Sequence, residues 1–144
     1  MNKLGFGFLR LPQTESKDID WPLLEAMVDE FLSFGGKYFD TAYTYLDGMS
    51  EAALRRTVVE RHPRSSFQIA DKLPGWKVKR REDCKHYFQE QCRRCGVEFF
   101  DVYLLHWLRA YPQIAKGAQR KALHQSNGLK PPISNERARI CARQ

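Results

Sequence analysis

Four ionisable side chains in this chain of 144 residues close short apolar runs or follow directly after one. Asp40 closes the run Lys37-Tyr38-Phe39-Asp40, and Tyr45 lies five positions on, in a polar loop at residues 41–49. Lys72 closes residues 67–72, and His106 closes the most apolar run, residues 99–106. A carboxylate, a phenol, an ammonium and an imidazole together make a proton-transfer set of the kind general acid–base chemistry uses. Singly, each has a plainer reading. Asp40 caps a helix or loop, Tyr45 is a half-buried loop aromatic, Lys72 is a solvated strand end, and His106, next to Trp107, is a satisfied core histidine. The set outweighs its members only if the intervening elements bring all four to one place.

Those elements alternate. Residues 4–11 form a short, apolar, glycine-containing first strand. Asp20 before Trp21-Pro22 supplies an N-cap and a proline in the first helical turn. Leu24, Met27, Val28, Phe31 and Leu32 then recur at helical spacing, and Gly35-Gly36 ends the helix. Residues 37–40 are a second strand. Ser50 reads as the N-cap of a second helix through about residue 61, carrying Ala53, Leu54, Thr57 and Val58 and stopped by His62-Pro63. Residues 67–72 are the third strand. A third helix at 81–95 buries Phe88, Cys92 and Cys95 and closes at Gly96, and residues 99–106 are the fourth strand. Near-continuous apolar strands separated by helices indicate a buried parallel sheet, β-α-β-α-β-α-β. In a parallel α/β barrel the strand C-termini and the loops after them form the active face. Strands two, three and four therefore deliver Asp40, Lys72 and His106, with Tyr45, to the same face.

Hydrophobic content of 42% and charged content of 28% are ordinary for a globular protein. No run approaches the ~20 apolar residues of a membrane span, and the N-terminal residues lack a secretory signal, so we expect a cytoplasmic protein without a membrane partner. The net charge of +7 is unevenly placed. Residues 1–108 carry 16 Lys+Arg against 16 Asp+Glu, whereas residues 109–144 carry 8 against Glu136 alone. A neutral body with a basic tail gives no specific nucleic-acid reading, since the tail has Tyr111 as its one aromatic residue and no recognition motif. Cys92 and Cys95 have CxxC spacing, but they sit on the inward stripe of one helix with no second pair nearby. They read as small core residues, and no metal is expected.

Several segments carry a family likeness. Phe39-Asp40-Thr41-Ala42-Tyr43-Thr44-Tyr45 resembles the aldo-keto reductase segment in which an Asp precedes the catalytic Tyr by five positions. Tyr45-Leu46-Asp47-Gly48-Met49-Ser50-Glu51 is similar to the family's Tyr-x-x-Gly-x-Ser-Glu. Ile69-Ala70-Asp71-Lys72 resembles the strand of the catalytic Lys, and Asp101-Val102-Tyr103-Leu104-Leu105-His106 that of the catalytic His. Leu4-Gly5-Phe6-Gly7-Phe8-Leu9-Arg10-Leu11-Pro12 is similar to the opening strand of a bacterial branch of the family. The likeness spans residues 3–108 in family order. It departs from the family at Asp71, where Thr or Ser is frequent, and ceases after Trp107.

The resemblance implies part of a (β/α)8 TIM barrel, about four parallel strands and three helices, over residues 1–108. A poorly structured tail at 109–144, disordered or non-native, would follow. A whole barrel takes roughly 250 residues. We therefore expect the tail to reflect a frameshift or early ending of a longer reading frame, which translation of the surrounding DNA in the other frames would test. The implied activity is NADP(H)- or NAD(H)-dependent reduction of a small-molecule carbonyl by hydride transfer. Tyr45 would be the general acid, Lys72 would favour the phenolate, Asp40 would hold Lys72, and His106 would orient the carbonyl oxygen. Gly7, Phe8 and Asp40 would face the cofactor, and Tyr45, His106 and Trp107 the substrate. An inactive fragment or a reductase-like regulatory or binding subunit is the alternative. Open sheet edges would favour self-association.

Overall fold

A computed structural model describes residues 4–106. Trp107 and the expected tail lie outside the described residues. The elements run β1 (Gly5–Gly7), α1 (Trp21–Ser33), β2 (Tyr38–Asp40), α2 (Met49–Leu54), β3 (Gln68–Leu73), α3 (Arg81–Cys95) and β4 (Val102–Leu105). Local signals set the first and third helices. The Asp20 carboxylate accepts from the Leu23 N–H at 3.1 Å, and Pro22 lies in the first turn of α1. Asp83 accepts from the N–H groups of Lys79 and Arg80 ahead of α3, which ends at Gly96 with φ of 70°. A left-handed residue there is what a helix C-terminus commonly needs, and an added Cβ would also press on Arg55 at 3.0 Å.

The four strands make one parallel sheet in the order β1-β2-β3-β4. Gly7 is level with Asp40, Asp40 with Ala70, and Lys72 with Leu104. One face of the sheet packs against the helices. Phe8, Phe39, Leu24, Val28, Ala53, Leu54, Val58 and Ile69 are fully buried there. Phe39 is its hub, with Phe31 edge-on at 5.2 Å and Phe8 and Phe67 at 6.1 and 6.3 Å between ring centres. Each such aromatic pair adds about 0.5–1.5 kcal/mol beyond its buried area. The alternation of a strand sends the residues between these apolar ones to the other face. Asp40 and Lys72 emerge together there.

Two local expectations change. Met27 is 42% exposed, because Leu24 and Val28 already fill the contact with the sheet. Ser50 does not cap α2: the helix starts at Met49 behind Gly48, and the Ser50 hydroxyl is one residue inside it. It donates instead to the Phe8 carbonyl at 2.9 Å and shares a 2.7 Å hydrogen bond with the Thr41 hydroxyl. Set inside the first turn, the hydroxyl is spent on the buried partners that β1 and the residue after β2 offer. Beyond Leu54 the helix widens into a π turn at Arg55–Val59.

Candidate active site

The C-terminal ends of β2, β3 and β4 and the turn after β2 bring together all four ionisable residues. Lys72 is the centre. Its Nζ donates to Asp40 Oδ1 at 2.5 Å and to the Thr41 carbonyl at 2.6 Å. The same ammonium lies 4.7 Å from the centre of the Tyr45 ring, over its face. The Tyr45 and His106 rings meet edge to face at 5.6 Å. His106 also meets Trp76 at 5.3 Å, on the turn Gly75–Lys77 that follows β3. Carboxylate, ammonium, phenol, imidazole and indole thus form one continuous chain of contacts.

Each group is held for a stated reason. Asp40 is fixed by its place in β2, where its carbonyl accepts from the Phe8 N–H at 2.8 Å. Ser50 clamps the next residue, Thr41, whose carbonyl receives Lys72. Tyr45 begins a tight turn in which Leu46, Asp47 and Gly48 are all left-handed, with φ of 51°, 53° and 89°. Such a run is costly for residues bearing Cβ, so the surrounding contacts must fix it. Arg94 reaches it at Gly48, and the Tyr43 ring just ahead of it meets the Arg94 guanidinium at 4.3 Å and the Lys77 ammonium at 5.3 Å. Arg94 bonds in turn to Glu51 Oε2 at 3.1 Å and Glu90 Oε1 at 2.5 Å.

Electrostatics favour a neutral imidazole. Burial, helped by the positive charge of Lys72, pulls the His106 pKa below its ordinary value, with Asp40 opposing. His106 Nδ1 is buried and has no hydrogen-bond partner among the described residues. A buried imidazole nitrogen left open beside a phenol suits a site that receives a polar atom from outside. Gly7, at the end of β1 and level with Asp40, offers space: a Cβ there would meet nothing within 4 Å. Phe8 stands apart from this cluster, its side chain fully buried in the core and its carbonyl taken by Ser50. Trp107 lies outside the described residues.

The cysteines lie elsewhere. Burial pushes the Cys92 thiol up to about 12 and raises Cys95 as well. Thiols kept protonated in this way are poor nucleophiles and poor metal ligands. Cys95 does sit with Glu51 and Asp71, their ligand atoms all within 4.8 Å. Sequence reasoning missed Trp76, although the rule that active-face loops follow strands points to the segment Pro74-Gly75-Trp76 directly after β3. It also missed the buried side chains behind Lys72, for which no sequence signal stands out.

Comparison with known proteins agrees on the family but carries the likeness past Trp107, where the sequence segments suggested that it ceases. The model of the Aldo/keto reductase family matches residues 3–127. Among solved structures, an aldo-keto reductase from Klebsiella pneumoniae in complex with NADPH is 22% identical with a TM-score of 0.60, covering 72% of this chain and 34% of its own. An aldo-keto reductase from Bacillus halodurans in its holo form is 24% identical with a TM-score of 0.58, covering 86% of this chain and 42% of its own. A thermostable aldo-keto reductase in complex with the inhibitor epalrestat is 21% identical with a TM-score of 0.62, at 84% and 46% coverage. At these identities the likeness shows the fold, four parallel strands and three helices of a (β/α)8 architecture. This chain spans less than half the length of each of these structures. A search of curated proteins finds no match.

Proposed function

This chain belongs to the aldo/keto reductase family, and we propose from that premise that Asp40, Tyr45, Lys72 and His106 form a proton-transfer centre for carbonyl reduction. One observation carries the reading: Lys72 touches the Asp40 carboxylate and the Tyr45 ring at once, and Tyr45 touches His106. NADP(H), when bound, supplies the hydride for the carbonyl carbon, with NAD(H) as the other candidate. The chain's own residues handle the oxygen. Tyr45 gives its phenolic proton to the developing alkoxide as general acid. Lys72 places a positive charge against the phenol and stabilises the phenolate left behind. Asp40 neutralises and aims Lys72. A neutral His106 has one N–H to donate, and it orients the carbonyl oxygen towards Tyr45. Gly7, where a Cβ would meet nothing, and Asp40 would hold the cofactor, and Trp76 would flank the substrate. The reading needs no metal.

The share of the relatives' length covered, 34% for the Klebsiella enzyme, favours a second reading for the 144-residue chain by itself: a piece that turns over weakly or only binds. Two measurements separate the readings. Loss of absorbance at the nicotinamide band with a panel of aldehydes reads turnover, and fluorescence titration with NADPH reads binding. We expect binding with weak or no turnover from this chain. In a version extended to full barrel length, Tyr45→Phe should cut kcat by about 100-fold or more while leaving NADPH affinity unchanged. Wild-type turnover in that variant removes Tyr45 from its role.

A further inference from the structure

Strand β2 stops before β3 does. The last rung between them sets Asp40 against Ala70, and β3 continues through Leu73. Main-chain groups along a parallel strand alternate between its two neighbours. Gln68 donates its N–H to the Lys37 carbonyl, and the Ala70 carbonyl accepts from Thr41, so these residues face β2. The Ile69 carbonyl accepts from Asp101 and the Leu73 carbonyl from His106, so those face β4. Lys72 has the parity of Gln68 and Ala70. It therefore turns its N–H and its carbonyl towards a strand that has already ended.

Side chains fill both places. Asp71 Oδ1 accepts from the Lys72 N–H at 2.7 Å. Gln91 Nε2, from α3, donates to the Lys72 carbonyl at 3.1 Å. Gln91 is itself fixed by the Tyr103 hydroxyl, which donates to its Oε1 at 2.5 Å. Asp71 and Gln91 are both fully buried, so losing either side chain leaves the Lys72 peptide short of a partner that no strand supplies. We propose that Asp71 and Gln91 are positioning residues for Lys72, their side chains standing in for the strand partners that β2, ending at Asp40, does not supply. Its weight for catalysis rests on the reading of Lys72 as part of the proton-transfer centre.

Asp71 does this as a neutral carboxylic acid. Its carboxyl shares a buried pocket of side chains with Glu51 and the Cys95 thiol. Glu51 Oε2 accepts from Arg94, whereas Glu51 Oε1 is buried and has no hydrogen-bond partner among the described residues. The Cys95 thiol is a weak donor, 3.8 Å from Asp71 Oδ2. Two carboxylates this close do not both stay charged. A proton on Asp71 Oδ2, donated to Glu51 Oε1, satisfies the orphaned oxygen and leaves the negative charge of Glu51 against Arg94. Burial and the Glu51 charge hold the Asp71 carboxyl in that form, with the Lys72 N–H and ammonium opposing. An asparagine in this place offers the same pattern, one acceptor for Lys72 and one donor for Glu51. A valine offers neither.

The test compares Asp71→Asn, Asp71→Val and Gln91→Leu in the full chain by residue-resolved amide hydrogen exchange. The amides of Phe8 and Gln68, bonded to the carbonyls of Asp40 and Lys37, serve as references. Relative to them, Asp71→Asn should leave exchange at Lys72 within about twofold of wild type, and Asp71→Val should speed it by about tenfold. Gln91→Leu frees the Lys72 carbonyl, and competitive reductive methylation should then label Lys72 severalfold faster relative to the exposed Lys37. Equal exchange at Lys72 in the Asn and Val variants overturns the proposal. If Asp71→Val unfolds the chain, the other two variants decide: lost protection in Asp71→Asn, or unchanged labelling in Gln91→Leu, overturns it equally. None of these readouts needs turnover, so this inference and the carbonyl-reduction reading fail separately.

Discussion

A carboxyl that keeps its proton in the fold but loses it in the unfolded chain stabilises the fold below the ordinary carboxylate pKa. That contribution disappears as pH rises through the folded value. Asp71 is such a group, fully buried beside Glu51 and raised well above 3.8 by burial and by its neighbour's charge. His106 runs the other way. Its folded pKa is depressed, so its contribution is present above 6.5 and is lost as pH falls through the folded value. Comparing wild type with Asp71→Asn cancels His106, which both chains carry. The variant should therefore be the more stable chain, by a margin that widens from about pH 5 to about pH 8. Urea midpoints at the two pH values check this, and a constant or shrinking margin would mean that Asp71 is not held protonated. The four ionisable residues that the structure brings together were conspicuous in sequence, because each closes an apolar run or follows one. Asp71 and Gln91 were not, because their role depends on where β2 stops, and a three-residue strand leaves no periodicity from which to read its end.

At the scale of the elements, legibility followed the range of the interactions. Asp20, Pro22 and Gly96 act within their own helix ends, and α1 and α3 fall where those residues place them. Ser50 misled because its partner is 42 residues away in the chain. That hydroxyl joins three elements: β1 through the Phe8 carbonyl, the end of β2 through Thr41, and α2 on which it sits. Its removal leaves a buried carbonyl and a buried hydroxyl each short of a partner. Ser50→Ala should cost about 2 kcal/mol, more than a cap at an exposed helix end, because the groups it abandons cannot turn to water. The loss should also loosen Thr41, whose carbonyl holds Lys72. Chemical denaturation gives the first quantity. A loss below about 0.5 kcal/mol, the usual range for a surface change, would show that the neighbours repack or that water enters.

For the whole molecule, the sheet's own edges pose the next question. Among the described residues β1 pairs with β2 alone and β4 with β3 alone, so each presents a row of main-chain donors and acceptors. Apolar side chains accompany them: Leu104 and Leu105 on β4 are 41% and 49% exposed, and Leu4 and Leu9 beside β1 are 66% and 47% exposed. Apolar area at an open edge drives association, and a net charge of +7 opposes it. The opposition is long-range and is screened at about 0.15 M salt, where the Debye length is about 8 Å, whereas edge pairing and apolar contact act at touching distance. We therefore expect the 144-residue chain to self-associate, with the fraction associated rising with both protein and salt concentration. Leu105→Lys puts a charge on the exposed edge, and it should shift the equilibrium towards monomer. Sedimentation velocity over a concentration series decides the matter. A single monomeric species throughout, in wild type and variant alike, would show that the open edges do not drive association.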